Sequence, residues 1–265
     1  MPSSDIVRKC QQKLTGADTV KKGMIVILLL FFLGGIFLYQ WQHSLKVTEA
    51  VSKNTTPISK KTPKTTRKLI TGIRVMGIGG SIAEGHGAPN DNGYLQMTFH
   101  HFGDQYYNKA IYGANGTQLA TLYKGDYHSW LNQIHPQAVA ISWGLLNDVV
   151  PNTPYSKFNG YIRTEINQAL AKNAIVFIIT PPVTEFSYGT YGKKEILYSQ
   201  EEIHFIQKMH TPHVYILDLF TQMKRYIENN HISISSLSSD PHHPNTKGYQ
   251  IAANILVSDL NQLFP

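Results

Sequence analysis

The folded part of the chain begins with Ile73-Arg-Val-Met-Gly-Ile-Gly-Gly-Ser81. An apolar run that ends in glycines is typical of a buried β-strand followed by a sharp turn. Two successive glycines allow the chain to turn closely, so that Ser81 is exposed where a helix starts. The stretch therefore predicts a strand over 73–78 and a candidate nucleophile at its carboxyl end.

Further apolar runs follow at regular intervals, and runs with helical spacing separate them. The predicted strands after the first are 105–112, 137–143, 174–180 and 213–217, and the predicted helices are 93–103, 117–134, 155–173, 194–210 and 246–264. Strands that alternate with helices predict an α/β domain, a three-layer α/β/α sandwich around a mostly parallel sheet of five strands. The nearly continuous apolar run of 174–180 fits a strand that is buried on both faces.

Polar and glycine-containing segments follow three of these strands. Ser81 follows the first strand, Tyr112-Gly-Ala-Asn-Gly-Thr117 the second, and Gly144-Leu-Leu-Asn-Asp148 the third. Right-handed crossovers bring the carboxyl ends of parallel strands to one edge of the sheet, where ligands bind. Taken singly, each segment also has a structural interpretation, because serine commonly caps helices and Asn-Asp commonly forms turns.

The tail supplies an acid and a histidine in Asp240-Pro-His-His-Pro-Asn245. A carboxylate three residues before an imidazole can fix its tautomer, which is how a general base for a hydroxyl nucleophile is oriented. His242 competes for this role, but the Asp-x-x-His spacing favours His243 and leaves His242 to line the cleft or to be exposed. We expect Asn115, Asp148 and Glu84 to be structural.

Four blocks of the sequence together resemble the SGNH, or GDSL-type, hydrolases. They are Gly79-Gly-Ser81 with Gly85, Asn108 with Gly113, Gly144–Asp148, and Asp240–Pro244. The resemblance covers most of residues 70–265 and implies the flavodoxin-like fold of that family. Two departures are visible. Gly80 stands where the family usually has an acidic residue, which is expected to alter loop support rather than chemistry, and the third block is one residue longer than usual.

The resemblance also implies a role for each matching residue. Ser81 is expected to be the nucleophile, His243 its base and Asp240 the acid that orients the base. The backbone N–H groups of Ser81 and Gly113 and the side-chain amide of Asn147 are the implied oxyanion donors. The implied activity is hydrolysis of acyl esters, acetyl or short-chain, with O-acylated surface carbohydrate as one substrate class. An O-acetyltransferase using the same residues, or a glycan-binding domain without catalysis, are the alternatives.

The N-terminal part of the chain predicts a membrane anchor. Residues 1–22 form a basic arm, and residues 23–42 are apolar and uncharged. About 20 such residues in a helix cross a hydrocarbon core of roughly 30 Å. Residues 43–68, rich in Lys, Thr, Ser and Pro, predict a disordered stalk before the domain at 69–265. We prefer an uncleaved signal anchor with the domain outside the cytoplasm; a cleaved signal peptide is the alternative.

Charge and sequence motifs exclude several other functional classes of protein. The net charge of +7 is concentrated in residues 1–68, which carry twelve basic and three acidic residues, whereas residues 69–265 carry twelve and fourteen. The folded part is therefore nearly neutral, and a nucleic-acid partner is not predicted. Two other motifs are incomplete. Ile82 stands where the dinucleotide-binding motif G-x-G-x-x-G has its third glycine. Ala83 stands where the α/β-hydrolase motif G-x-S-x-G has its last glycine. The remaining histidines lack metal-ligand spacing, so neither a metal nor a cofactor is predicted.

Overall fold

The computed structural model describes residues 70–265. The predicted basic arm (1–22), membrane anchor (23–42) and stalk (43–68) lie outside this range. Among the helices of residues 70–265, none combines the length and the apolar character that crossing a membrane requires.

The described domain is built on five parallel strands. They are β1 (Arg74–Gly79), β2 (Gln105–Asn108), β3 (Ala138–Ser142), β4 (Ile175–Ile179) and β5 (Val214–Leu217). Their order in the sheet is β2-β1-β3-β4-β5. This is the flavodoxin-like order, in which the strand order reverses beside β1 and opens a crevice there. The predicted five-stranded α/β architecture is confirmed, and all five strands are parallel.

Helices cover both faces of the sheet. In chain order they are α1 (Ser81–Glu84), α2 (Tyr94–His101), α3 (Gly116–Thr121), α4 (Lys124–Ile134), α5 (Leu146–Val149), α6 (Tyr155–Leu170), α7 (Glu185–Tyr188), α8 (Gly192–Met209), α9 (Leu219–Asn229) and α10 (Thr246–Leu263). Short 3₁₀ turns occupy Pro89–Asp91 and Ile234–Leu237. A separate antiparallel ribbon joins β6 (Ser238–Asp240) to β7 (His243–Pro244).

Alternate residues of the central strands point into two apolar cores. Phe177 and Ile179 of β4 pack with α2, α9 and α10 on one face. Val176 and Ile178 of the same strand pack with α3, α4, α6 and α8 on the other. Every residue of β3 and β4 is buried, which explains why these strands are apolar throughout rather than alternating.

Several predicted boundaries are wrong, for local reasons. The second strand ends at Asn108, because the side-chain oxygen of Asn108 accepts the N–H of Ala110 and turns the chain. The predicted helix 117–134 is two helices, since the N–H of Tyr123 donates to the carbonyl of Gln118 and closes the first of them.

Two further helices differ from the sequence prediction. Residues 183–200 are rich in Tyr and Gly, and the sequence predicts that they form a loop over the cleft and shape specificity. In the structure this segment contains α7 and the start of α8. A capping box between Thr184 and Ser187 begins α7. Helix α9 is not among the predicted elements, although Asp218 caps it by accepting the N–H of Thr221. Both caps are visible in the sequence as start signals for helices.

We expect Gly79→Ala to destabilise the domain. A Cβ at this position would lie 2.0 Å from the backbone oxygen of Ser142 on β3 and 2.5 Å from the Cβ of Ala83. Because neither neighbour can move freely, the free energy of unfolding should fall by about 3 kcal/mol. Urea denaturation at equilibrium measures this change.

The matched control is Gly160→Ala within α6, where a Cβ would have no neighbour within 4 Å. The same substitution there should raise stability by about 0.5–1 kcal/mol, because glycine is a poor helix former. Equal effects of the two substitutions would contradict the tight packing of β1 against β3.

Candidate active site

Three predicted site residues meet at the carboxyl edge of the sheet. Ser81 is the first residue of α1, directly after β1 and Gly80. Asp240 and His243 face each other across the ribbon β6–β7. The Nε2 atom of His243 lies 2.9 Å from the Oγ atom of Ser81. Its Nδ1 atom lies 2.9 and 3.0 Å from the two carboxylate oxygens of Asp240.

The Asp240 carboxylate is fixed by its own turn. Its Oδ1 atom accepts the backbone N–H groups of His242 at 2.7 Å and of His243 at 3.1 Å. A carboxylate held in this way favours the tautomer in which Nδ1 of His243 carries the proton and donates it to Asp240. The lone pair of Nε2 is then directed at the Ser81 hydroxyl, which is the arrangement of a general base next to a nucleophile.

Burial and neighbouring charges set the protonation of the pair. Burial lowers the pKa of His243 most strongly, and His86 and His242 lower it further. The hydrogen bond and charge of Asp240 act in the opposite direction, and the pKa stays below its ordinary value. For Asp240, burial acts to raise the pKa, but the hydrogen bonds from His243 and from the backbone outweigh it and lower it. At neutral pH the site therefore holds a neutral imidazole beside an ionised carboxylate.

Besides the N–H of Ser81 after β1, the two other predicted oxyanion donors, Gly113 and Asn147, come from the loops after β2 and β3. Gly113 has a φ of +71° in a turn that the N–H of Ala114 closes onto the carbonyl of Ile111. The side-chain Nδ2 of Asn147 donates to the backbone oxygen of Ala114 at 2.8 Å. A primary amide carries two hydrogens, so the second remains for a ligand in the adjoining cleft. Both Gly113 and Asn147 line that cleft.

Gly80, where the family usually has an acidic residue, leaves room for this hydrogen bond. A Cβ at position 80 would lie 3.0 Å from the oxygen of Ala114 and 3.3 Å from Nδ2 of Asn147. A side chain there would press on both partners of the hydrogen bond. The glycine thus allows the loops after β1, β2 and β3 to approach closely.

A cleft of about 420 Å³ lies beside the loops that contain Gly113 and Asn147. Besides Gly113 and Asn147, it is lined by Leu146, Phe186, Tyr191 and His242. His242 lies where the sequence analysis expects it, with its ring packed edge-on against Phe186 at 4.4 Å between centroids. Phe186 and Tyr191 come from the segment 183–200, which contributes side chains to the cleft from α7 and from the residue before α8.

Sequence reasoning does not identify two aromatic neighbours of His243. Between ring centroids, His86 lies 4.5 Å and Tyr112 lies 6.1 Å from His243, and His86 and Tyr112 lie 4.8 Å from each other. His86, Asp240 and His243 each offer a ligand atom within 4.8 Å of the others. Two of these three groups are already hydrogen-bonded to each other. Only the position of His86 just after Gly85 in the first block could have pointed to it.

Known proteins resemble this domain in three-dimensional structure rather than in sequence. No protein-family model matches the sequence, and no curated protein matches it. Among solved structures, the domain is similar to a catalytic mutant of an acetylxylan esterase from Geobacillus stearothermophilus, with a TM-score of 0.56, 14% identity, and coverage of 72% of this chain and 94% of that one.

Two other solved structures are similar. A member of the lipolytic G-D-S-L family from Veillonella parvula has a TM-score of 0.57 and 14% identity over 71% of this chain and 98% of that one. The psychrotrophic esterase EstA from Pseudoalteromonas, inhibited by monoethylphosphonate, has a TM-score of 0.51 and 17% identity over 72% and 97%. The predicted resemblance is thereby confirmed at the level of the fold.

We expect the imidazole of His243 to titrate below the ordinary histidine pKa. Asp240→Asn should lower that pKa further, because a neutral amide no longer offsets the cost of burying the charged ring. His86→Ala should raise the pKa of His243, because the electrostatic interaction with His86 that lowers it is removed. Titration of the ring carbon-bound protons by NMR follows each variant. A wild-type pKa above the ordinary value, or shifts of the opposite signs, would contradict this account of the site.

Proposed function

We propose that this chain, whose described domain has the fold of the SGNH hydrolases, is a serine esterase that hydrolyses acetyl or other short acyl esters. The observation that carries the proposal is the 2.9 Å contact between the Ser81 hydroxyl and Nε2 of His243, with Asp240 behind the ring. A hydroxyl, a neutral imidazole and an orienting carboxylate that contact one another in this order are the groups that acyl transfer to a serine requires.

In the first half of the reaction, Oγ of Ser81 attacks the ester carbonyl carbon while Nε2 of His243 takes the hydroxyl proton. The tetrahedral intermediate carries its negative charge on the former carbonyl oxygen. His243 then gives the proton to the alkoxy oxygen, the C–O bond breaks and the alcohol leaves. Asp240 stabilises the imidazolium that exists between these steps.

The oxyanion faces the loops after β1, β2 and β3. The N–H of Ser81, the N–H of Gly113 and the free amide hydrogen of Asn147 are the donors that we assign to it. Losing one such donor typically costs about 10²- to 10³-fold in rate, because the donors are already oriented when the charge develops. In the second half, water attacks the acyl carbon of the acyl-serine while His243 takes a proton from it. The bond from the acyl carbon to Oγ of Ser81 then breaks, His243 returns the proton to Oγ, and the carboxylic acid leaves.

The cleft suits an ester whose alcohol is a carbohydrate. Phe186 and Tyr191 provide aromatic surface in its wall, and the side-chain amide nitrogen of Gln118 provides a polar group beside them. Aromatic faces with a few polar groups are typical of sites that bind sugar rings. The similar structure from Geobacillus stearothermophilus is an acetylxylan esterase, which is consistent with an O-acetylated glycan as substrate.

The location at a membrane is part of the same proposal. The apolar segment 23–42 would hold the chain in the bilayer, and the stalk 43–68 would carry the domain away from its surface. An extracytoplasmic domain in this position can reach esters on surface carbohydrate.

The esterase proposal predicts turnover of p-nitrophenyl acetate and covalent labelling of Ser81 by a serine-directed phosphonate. His243→Ala should reduce kcat/KM by about 10³-fold or more, because the base is lost. His242→Ala is the comparison variant and should reduce kcat/KM far less than His243→Ala does, since its ring contacts Phe186 in the cleft wall rather than Ser81. Kinetic assays and peptide mass spectrometry measure both results.

Each other outcome selects an alternative. If His242→Ala is the damaging substitution, the assignment of the base is wrong. If neither turnover nor labelling occurs, a glycan-binding domain is favoured. If a sugar hydroxyl captures the acetyl group faster than water does, the protein is an O-acetyltransferase.

The anchor proposal predicts that the full chain stays with membranes after alkaline carbonate washing. A chain that begins at residue 43 should be released, because it lacks the only apolar segment of the first 68 residues that is long enough to span. Release of the full chain under the same conditions, or removal of residues 1–42 during maturation, would contradict an uncleaved anchor.

A further inference from the structure

The two loops that carry the oxyanion donors Gly113 and Asn147 are joined by reciprocal hydrogen bonds. The side-chain amide of Asn147 donates to the backbone carbonyl of Ala114 at 2.8 Å. In return, the side-chain amide of Asn115 donates to the backbone carbonyl of Asn147 at 3.1 Å. Each loop therefore binds the main chain of the other, and neither loop can shift without breaking a hydrogen bond between them.

The partners of Asn115 determine the orientation of its amide. Its Oδ1 atom accepts the N–H of Gln118 at 3.1 Å, and the side chain of Gln118 accepts the N–H of Asn115 at 2.9 Å. This capping box starts α3. With Oδ1 facing a donor, Nδ2 must face the carbonyl of Asn147 and Oδ1 of Asp148, at 3.1 and 3.4 Å. Both amide hydrogens are thus directed at acceptors in the loop after β3.

Asp148, whose side chain accepts one of these two hydrogen bonds, is itself held in place. It is buried, and its backbone oxygen accepts the N–H of Thr153 at 2.9 Å. Burial raises the pKa of Asp148 to about 6. The titratable groups that face it are Glu165 on α6 and Glu202 and Tyr198 on α8, all of which interact with it electrostatically.

We propose that Asn115 is a positioning residue of the oxyanion hole, whose amide holds the Gly113 loop and the Asn147 loop at the separation that a reacting ester requires. This inference rests on the proposed esterase function and adds a residue to that site. From the sequence alone, Asn115 is expected to be structural. The geometry gives it a second role beyond capping α3, because its two amide hydrogens bind the neighbouring oxyanion loop and not its own helix.

The substitution Asn115→Asp separates the two roles. The new carboxylate still accepts the N–H of Gln118, so the cap is kept. Its other oxygen, however, faces the carbonyl of Asn147 and the carboxyl of Asp148 without a hydrogen to share. We expect kcat on p-nitrophenyl acetate to fall by about 10- to 100-fold at neutral pH, as for a small misplacement of catalytic groups. KM should change by less than about threefold, because the loss is in the transition state.

A pH profile distinguishes positioning from general damage. When the carboxyl introduced by Asn115→Asp is protonated, it again donates one hydrogen bond to the Asn147 loop, and the acids around Asp148 favour that protonated form. The ratio of Asn115→Asp activity to wild-type activity should therefore rise as the pH is lowered from about 8 to about 5. Asn115→Ser, which keeps a cap acceptor but has no amide, should lose a similar factor in kcat without this recovery.

The matched control is Asn230→Asp at the end of α9. The amide of Asn230 also donates to a backbone carbonyl, that of Tyr226 at 2.8 Å, but it is exposed and outside the site. This variant should keep wild-type kcat at every pH. If Asn115→Asp and Asn230→Asp have the same kcat, or if the activity ratio of Asn115→Asp does not vary with pH, the positioning role is wrong.

Hydrogen–deuterium exchange tests the inference even if the wild-type chain proves to have no esterase activity. Backbone amides of residues 113–116 and 144–148 should exchange faster in Asn115→Asp than in the wild type and should be unchanged in Asn230→Asp. Unchanged exchange in Asn115→Asp would overturn the role of Asn115 in joining the loops. Absence of turnover in the wild type, with the expected exchange, would reject the esterase proposal alone.

Discussion

The hydrogen bond between the Ser81 hydroxyl and the His243 ring is the interaction on which the account of this site depends. It joins side chains that are 162 residues apart in the sequence. Two contacts hold together the segments that flank these side chains. Gly87 lies so close to the ribbon β6–β7 that a Cβ there would be 2.3 Å from Oγ of Ser239. The hydroxyl of Tyr249 on α10 donates to the backbone oxygen of His86 at 2.7 Å.

The parallel sheet explains why the proposed oxyanion donors and the proposed nucleophile lie close together. Its central strands β1, β3 and β4 are largely apolar because helices cover both faces, so their side chains are committed to the two cores. The polar groups are left to the loops at the carboxyl edge, where the order of the strands reverses beside β1. Three neighbouring strands then contribute one element each: the serine after β1, Gly113 after β2 and Asn147 after β3. The strands supply a rigid scaffold, and the loops that follow them supply the reactive groups.

The sequence predicts those parts of the molecule whose cause is local. The apolar run of β4 and the Asp-x-x-His spacing each reflect a constraint between near neighbours, and both the strand and the Asp240–His243 contact are present in the structure. The cap of α9 at Asp218 has an equally local cause, so the start of this helix could also have been predicted from the sequence. Contacts between loops, in contrast, cannot be predicted from local patterns in the sequence. Nothing in the spacing of Asn115 and Asn147 reveals that each binds the main chain of the other, or that His86 packs on His243. Such contacts depend on the sheet order, which brings together loops that are distant in sequence.

The central claim is that Ser81 forms a covalent acyl intermediate, and trapping that intermediate tests it most directly. The full chain is mixed with p-nitrophenyl acetate, quenched in acid within the first turnover, digested and analysed by mass spectrometry. The account predicts one acetyl group on the peptide that contains Ser81, and none on that peptide when His243 is replaced by alanine. Turnover of the ester with the acetyl group on another residue, or with no acylated residue at all, would contradict it.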